Sequence, residues 1–142
     1  MTVTRRRWRD LSGGDRRAAL VMALLVPLLH ISVRVFDYQR TRRWLANHIP
    51  PGVPRTPHTD SLDRWVTATT RVQAYSPLPG NCLSRSLALW WMVRRAGVDA
   101  TLQLGVSLAG RFAAHAWVEA NGQVLNDTQD VTTRYAPMHA SR

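Results

Sequence analysis

Lysine is absent from this chain: all 19 basic residues are arginine, against 9 acidic residues, for a net charge of +10. Arginine codons are GC-rich, so the bias points to a high-GC bacterial genome. The excess charge suggests an acidic partner, whether peptide, protein, nucleic acid or membrane surface, without choosing among them. No RNA-binding signature, glycine-rich phosphate loop or Cys/His finger spacing occurs, which argues against specific nucleic-acid recognition. Cysteine occurs once, at Cys82. That excludes an intrachain disulfide and a multi-cysteine zinc site, and without a Cys-x-x-Cys pair the thiol has no resolving partner. The reducing cytosol is the expected compartment. Clustered metal ligands are also lacking, so no metal and no cofactor is expected.

A long hydrophobic run is missing as well. The uninterrupted apolar stretch, Ala18 to Leu29, falls short of the ~20 residues that span a bilayer, and His30 and Arg34 follow it. No small-residue cleavage site follows, so a signal peptide is not expected. The stretch reads instead as a helix opened by the capping box Ser12-Gly13-Gly14-Asp15. Its apolar breadth is expected to be buried against the core or another protein, with a membrane surface as the lesser alternative.

A chain of 142 residues accommodates one domain with a real core. Composition divides it into a basic helical arm, residues 1–47, a proline-rich linker, residues 48–58, and a core, residues 59–142. Four prolines in the linker forbid regular structure. Beyond it Leu62, Trp65, Val66, Thr69 and Val72 recur at helical spacing, with Asp60 or Ser61 as cap.

Ser76-Pro77-Leu78-Pro79-Gly80 cannot be helical, and Asn81 then makes a good N-cap. Leu83, Leu87, Trp90 and Val93 follow at spacings of three and four, and Ala96-Gly97 closes the pattern. The spacing predicts a helix from Cys82 to Ala96, with the thiol in its first turn. There it faces unpaired backbone N–H groups and the positive end of the helix dipole, a setting that favours thiolate over thiol. The period then changes to two. Leu102, Leu104, Val106 and Leu108 mark one strand. Phe112, Ala114, Ala116 and Val118 share one face of a second, with Ala113, His115, Trp117 and Glu119 on the other. Ala120-Asn121-Gly122 turns the chain into a third strand, Gln123 to Thr128. Helices followed by antiparallel strands make an α+β fold.

Cys82 at a helix start, His115 on a strand and Asp127 on the next follow the order of a nucleophile, its base and the group that orients the base. A two-residue type I′ turn at Asn121-Gly122 would pair His115 with Thr128 and point Asp127 to the opposite face. A three-residue loop pairs Glu119 with Gln123 and sets His115 opposite Asp127. The constellation requires the second register, which is therefore the expected one. Asn126 and Asp130 are alternative orienters, Asn126 only if the register slips by one. The backbone N–H of Cys82 is the natural oxyanion donor.

Cys-Leu-x-Arg-Ser-Leu-Ala-Leu, Arg-Arg-Ala-Gly-Val, Leu-Gly-Val, Phe-x-Ala-His-Ala-Trp-Val-Glu and Gly-x-Val-Leu-Asn-Asp, in that order, resemble the lasso-peptide leader peptidases. These are transglutaminase-like, papain-related cysteine peptidases. The similarity covers about Pro79 to Tyr135. It implies a papain/transglutaminase-like core, with Cys82 as nucleophile, His115 as base and Asp127 as orienting acid. It also implies a lasso precursor peptide as substrate and an asparagine-synthetase-like cyclase as partner. Residues 1–78 contain no strand-rich recognition domain, which favours the split form of the family, served by a separate leader-recognition protein. The arginine-rich arm is then an expected docking surface for that companion.

Overall fold

The computed structural model describes residues 8–51, 59–78, 80–110 and 112–141. Four long helices precede the sheet: α1 (Gly13–Phe36), α2 (Tyr38–Asn47), α3 (Thr59–Tyr75) and α4 (Cys82–Arg95). The strands β1 (Ala100–Ser107), β2 (Ala114–Ala120), β3 (Gln123–Val124) and β4 (Tyr135–Ser141) form one antiparallel sheet in the order β3-β2-β1-β4. A single turn of helix, α5 (Val131–Arg134), leads into β4. The fold is α+β, as its sequence pattern implies.

The start of α1 follows from Ser12, whose Oγ accepts the N–H of Asp15 at 3.1 Å. The helix then passes through Pro27 to Phe36, well beyond the apolar run. Only one face is buried, formed by Ala18, Ala19, Met22, Val26 and Leu29. The arginine-rich segment after it lies in α2, whose Leu45 is buried. In α3, Asp60 and Ser61 sit inside the first turn rather than at the cap, because the helix already begins at Thr59. Residues 52–58 of the proline-rich linker lie outside the described residues.

At the centre is α4, which buries Leu87, Ala88, Leu89, Trp90 and Val93 completely. Burying each of the larger of these side chains contributes about 1.5–3 kcal/mol before entropy is charged against it. The Trp90 indole keeps its polar end satisfied by donating to the Ala100 carbonyl at 3.2 Å. Ala18, Met22, Val26 and Leu29 of α1 and Leu45 of α2 join the same cluster, as do Ala68 and Val72 of α3 and Ala100, Leu102, Val118 and Ala120 of the sheet. The arm and the C-terminal unit therefore share one core.

The other sheet face carries His115, Trp117 and Glu119. Trp117 is fully buried there, with its Nε1 donating to Glu119 at 2.7 Å. Its ring occupies the space above Gly105, where an added Cβ would come within 2.9 Å of it and 3.0 Å of the Ala136 carbonyl. The missing side chain of Gly105 thus makes room for the tryptophan beside His115, which pairs with Gly105 across the ladder.

Three strand expectations change. Leu108 and Phe112 lie outside β1 and β2 and are 60% and 93% exposed. The third strand stops at Val124 rather than Thr128. The turn is the two-residue form: Ala120 pairs with Gln123 and Glu119 with Val124. Asn121 and Gly122 both take positive φ, 52° and 74°, the type I′ pattern that matches strand twist. The three-residue register is overturned.

Candidate active site

Cys82 opens α4 where the sequence places it. Asn81 caps the helix reciprocally with Ser84: Asn81 Oδ1 accepts the Ser84 N–H and Ser84 Oγ accepts the Asn81 N–H, each at 2.9 Å. The polypeptide just upstream is held against α1, since a Cβ on Gly80 would meet Val26 Cγ1 at 2.6 Å. Cys82 is half-buried, and among the described residues neither its thiol nor its N–H makes a hydrogen bond.

His115 and Asp127 meet directly, at 2.5 Å between Nε2 and Oδ2. An ionised carboxylate only accepts, so Nε2 carries the proton and Nδ1 presents a lone pair. Nδ1 has no hydrogen-bond partner among the described residues. Tyr135 packs on the imidazole with ring centroids 4.8 Å apart, and Trp117 lies beyond at 6.1 Å. The other Asp127 oxygen accepts the Thr128 N–H and Arg134 Nη2, both at 2.7 Å.

The meeting occurs despite the register, because the ladder ends early. Leu125 N–H still reaches the Val118 carbonyl at 2.8 Å. The return bond, from Val118 N–H, goes to Asn126 Oδ1 at 2.8 Å instead of the Leu125 carbonyl. With the Asn126 side chain standing in for backbone, the chain leaves the pleat. Asp127 is then freed from the alternation that would send it to the wrong face.

The same asparagine ties the site to α4. Its Nδ2 donates to Ser86 Oγ at 2.8 Å, and Ser86 donates to the Ala116 carbonyl at 2.8 Å. Ser86 lies one helical turn after Cys82 on the same face, Ala116 follows His115, and Asn126 precedes Asp127. Three buried or half-buried groups, each adjacent to a candidate catalytic residue, are therefore locked to one another. The structure joins His115 to Asp127 by contact, and this interlock ties the helix that carries Cys82 to the segments that carry His115 and Asp127.

Neither alternative orienter reaches His115. Asn126 is used as just described, and Asp130 bonds the Thr128 hydroxyl and lies 3.8 Å from Arg134. Sequence reasoning did not find Ser86, Arg134 or Tyr135. The signal for Ser86 was a hydroxyl on the buried face of an apolar helix, which must find a partner. Tyr135 was hidden by Pro137, which argues against a strand; β4 accepts it because it is an edge. Among the described residues no cluster of three His, Cys, Asp or Glu side chains could hold a metal.

Burial pushes the Asp127 carboxyl up, but the Thr128 N–H, His115 and Arg134 together hold it below the ordinary carboxylate range. A carboxylate lowered on folding stabilises the fold above its unfolded pKa of about 3.9, and that stability disappears as pH falls through the lowered folded value. Urea unfolding of the wild type and Asp127→Asn should therefore differ by a constant amount at neutral pH. The difference should shrink below about pH 4.

Residues 25–140 match the profile of the transglutaminase-like superfamily, a range that takes in the second half of α1 and all three candidate catalytic residues. No curated protein and no solved structure matches the chain.

Proposed function

This chain belongs to the transglutaminase-like superfamily, whose members are typically cysteine-dependent enzymes, and from that premise we propose that it is a cysteine peptidase that removes the leader from a lasso-peptide precursor. The observation that carries the chemistry is the His115–Asp127 bond through Nε2, which leaves the Nδ1 lone pair to take a proton from Cys82. The motifs from Pro79 to Tyr135 carry the substrate class.

In this reading Cys82 Sγ attacks the carbonyl at the leader–core junction after its proton passes to His115 Nδ1. The unpaired Cys82 N–H donates to the oxyanion. The tetrahedral intermediate collapses, His115 returns the proton to the departing core amine, and the leader remains as a thioester on Cys82. Water, deprotonated by His115, then hydrolyses the thioester and frees the leader acid. Asp127 stays ionised throughout and stabilises the imidazolium. A separate leader-recognition protein presents the precursor, and an asparagine-synthetase-like cyclase closes the released core.

Superfamily membership also favours a second reading, in which an amine rather than water resolves the thioester. Mass spectrometry decides between them. Precursor incubated with the leader-recognition protein and the wild-type chain should yield free leader acid and core, whereas Cys82→Ala should yield neither. Leader joined to an amine would establish acyl transfer, and cleavage by Cys82→Ala would remove Cys82 as nucleophile.

A further inference from the structure

While one face of α1 is buried, Leu20, Leu24, Leu28, Ile31 and Val35 run along the other, each 55–65% exposed. Spacings of four, four, three and four keep them on one stripe about 22 Å long. No charged residue lies between Arg17 and Arg34. Exposed Arg16 and Arg17 stand at one end of the stripe and exposed Arg34 at the other, followed by exposed Arg40 and Arg43 on α2. The one carboxylate of α1, Asp15, is engaged by Ser12 and by Arg64 at 3.1 Å.

This arrangement selects its occupant. A second copy is disfavoured, because parallel or antiparallel pairing of two such stripes sets arginine against arginine at both ends. A protein partner, the leader-recognition companion included, would need an apolar strip with acids at both ends. A bilayer bearing anionic headgroups meets both demands without matching. By length and composition α1 could cross a membrane, but doing so would strip Met22, Val26 and Leu29 from α3 and α4. Lying in the plane of the interface keeps the fold intact.

We propose that the exposed face of α1 docks this protein on a bilayer surface carrying anionic phospholipid. The leucines enter the acyl boundary and the flanking arginines meet the phosphates. The opposite face of α1 abuts the start of α4 through Val26 and Gly80, so the candidate active site stands on the side away from the bilayer.

The test is flotation of the full-length chain with phosphatidylcholine vesicles, with or without phosphatidylglycerol. The wild type should float only with the anionic vesicles. Leu24→Gln/Leu28→Gln and, separately, Arg16→Gln/Arg17→Gln should each weaken the association about tenfold or more. Because Leu24 and Leu28 are 65% and 64% exposed, circular dichroism should be unchanged. If that variant nevertheless misfolds, Ile31→Gln/Val35→Gln gives the same readout. Three results would overturn the proposal: equal flotation with neutral vesicles, unaltered flotation of the leucine variant, or no flotation of the wild type, in which case loss of self-association or of binding to the leader-recognition protein in the leucine variant would assign the stripe to that partner instead.

Discussion

Asp127→Ala should lower kcat/KM for precursor cleavage by about 10²–10⁴-fold, with Asp127→Asn falling between it and wild type. The carboxylate holds Nε2–H at 2.5 Å and, in the proposed mechanism, would place a negative charge beside the imidazolium formed when Cys82 gives up its proton. An asparagine amide oxygen can still accept from Nε2–H, so it keeps the orientation and loses the charge. Alanine loses both, and also releases the Thr128 N–H and Arg134. Steady-state kinetics on the three proteins, corrected for folded fraction, separates the two contributions. Equal loss in both variants would assign the whole effect to charge, and full activity in both would exclude Asp127 from the triad.

The second large effect belongs to Asn126. Truncation to alanine leaves the Val118 N–H without its acceptor and removes a donor from Ser86. Losing a buried partner on each side should cost about 2–4 kcal/mol in urea unfolding. Ser86→Ala should cost about 1–2 kcal/mol, since its donation to the Ala116 carbonyl is lost. Because the two side chains bond each other, the double variant should cost less than the sum, with a coupling of about 0.5–3 kcal/mol. The folded fraction of Asn126→Ala should also turn over about 10–100-fold more slowly, because this interlock sets the spacing of α4 relative to β2 and a displacement near 1 Å has an effect of that order. A drop in stability with unchanged turnover would show that the interlock holds the fold but not the reacting geometry.

Much of this was legible locally. The boundaries of α4, its Asn81 cap and Cys82 in its first turn followed from prolines that cannot be helical, a side chain that caps, and apolar spacing. All of these act within a few residues. The alternating faces of β2 were visible for the same reason, because pleating is a property of the strand itself. Local sequence also supplied the order of Cys82, His115 and Asp127.

The geometry that brings Asp127 to His115 was not visible in this way. Sequence logic set His115 opposite Asp127 through a turn that the fold does not make, assuming that the third strand kept its pleat to Thr128. In the fold Asn121-Gly122 makes the tighter turn, and Asn126 ends the ladder by spending its amide on Val118 and on Ser86, 40 residues away in α4. No local pattern encodes a side chain that replaces a backbone acceptor for a distant helix. Nor could periodicity show which half of the apolar α1 is buried: its residues are apolar on both sides, and only packing against α3 and α4 chose the Met22 and Val26 face and left the leucine stripe exposed. The sequence alone thus determined α4, the alternating faces of β2 and the chemical groups they carry, because those depend on neighbours in the chain. Only the tertiary structure decided which groups meet and which surface stays open, because those depend on hydrogen bonds and packing between segments far apart in it.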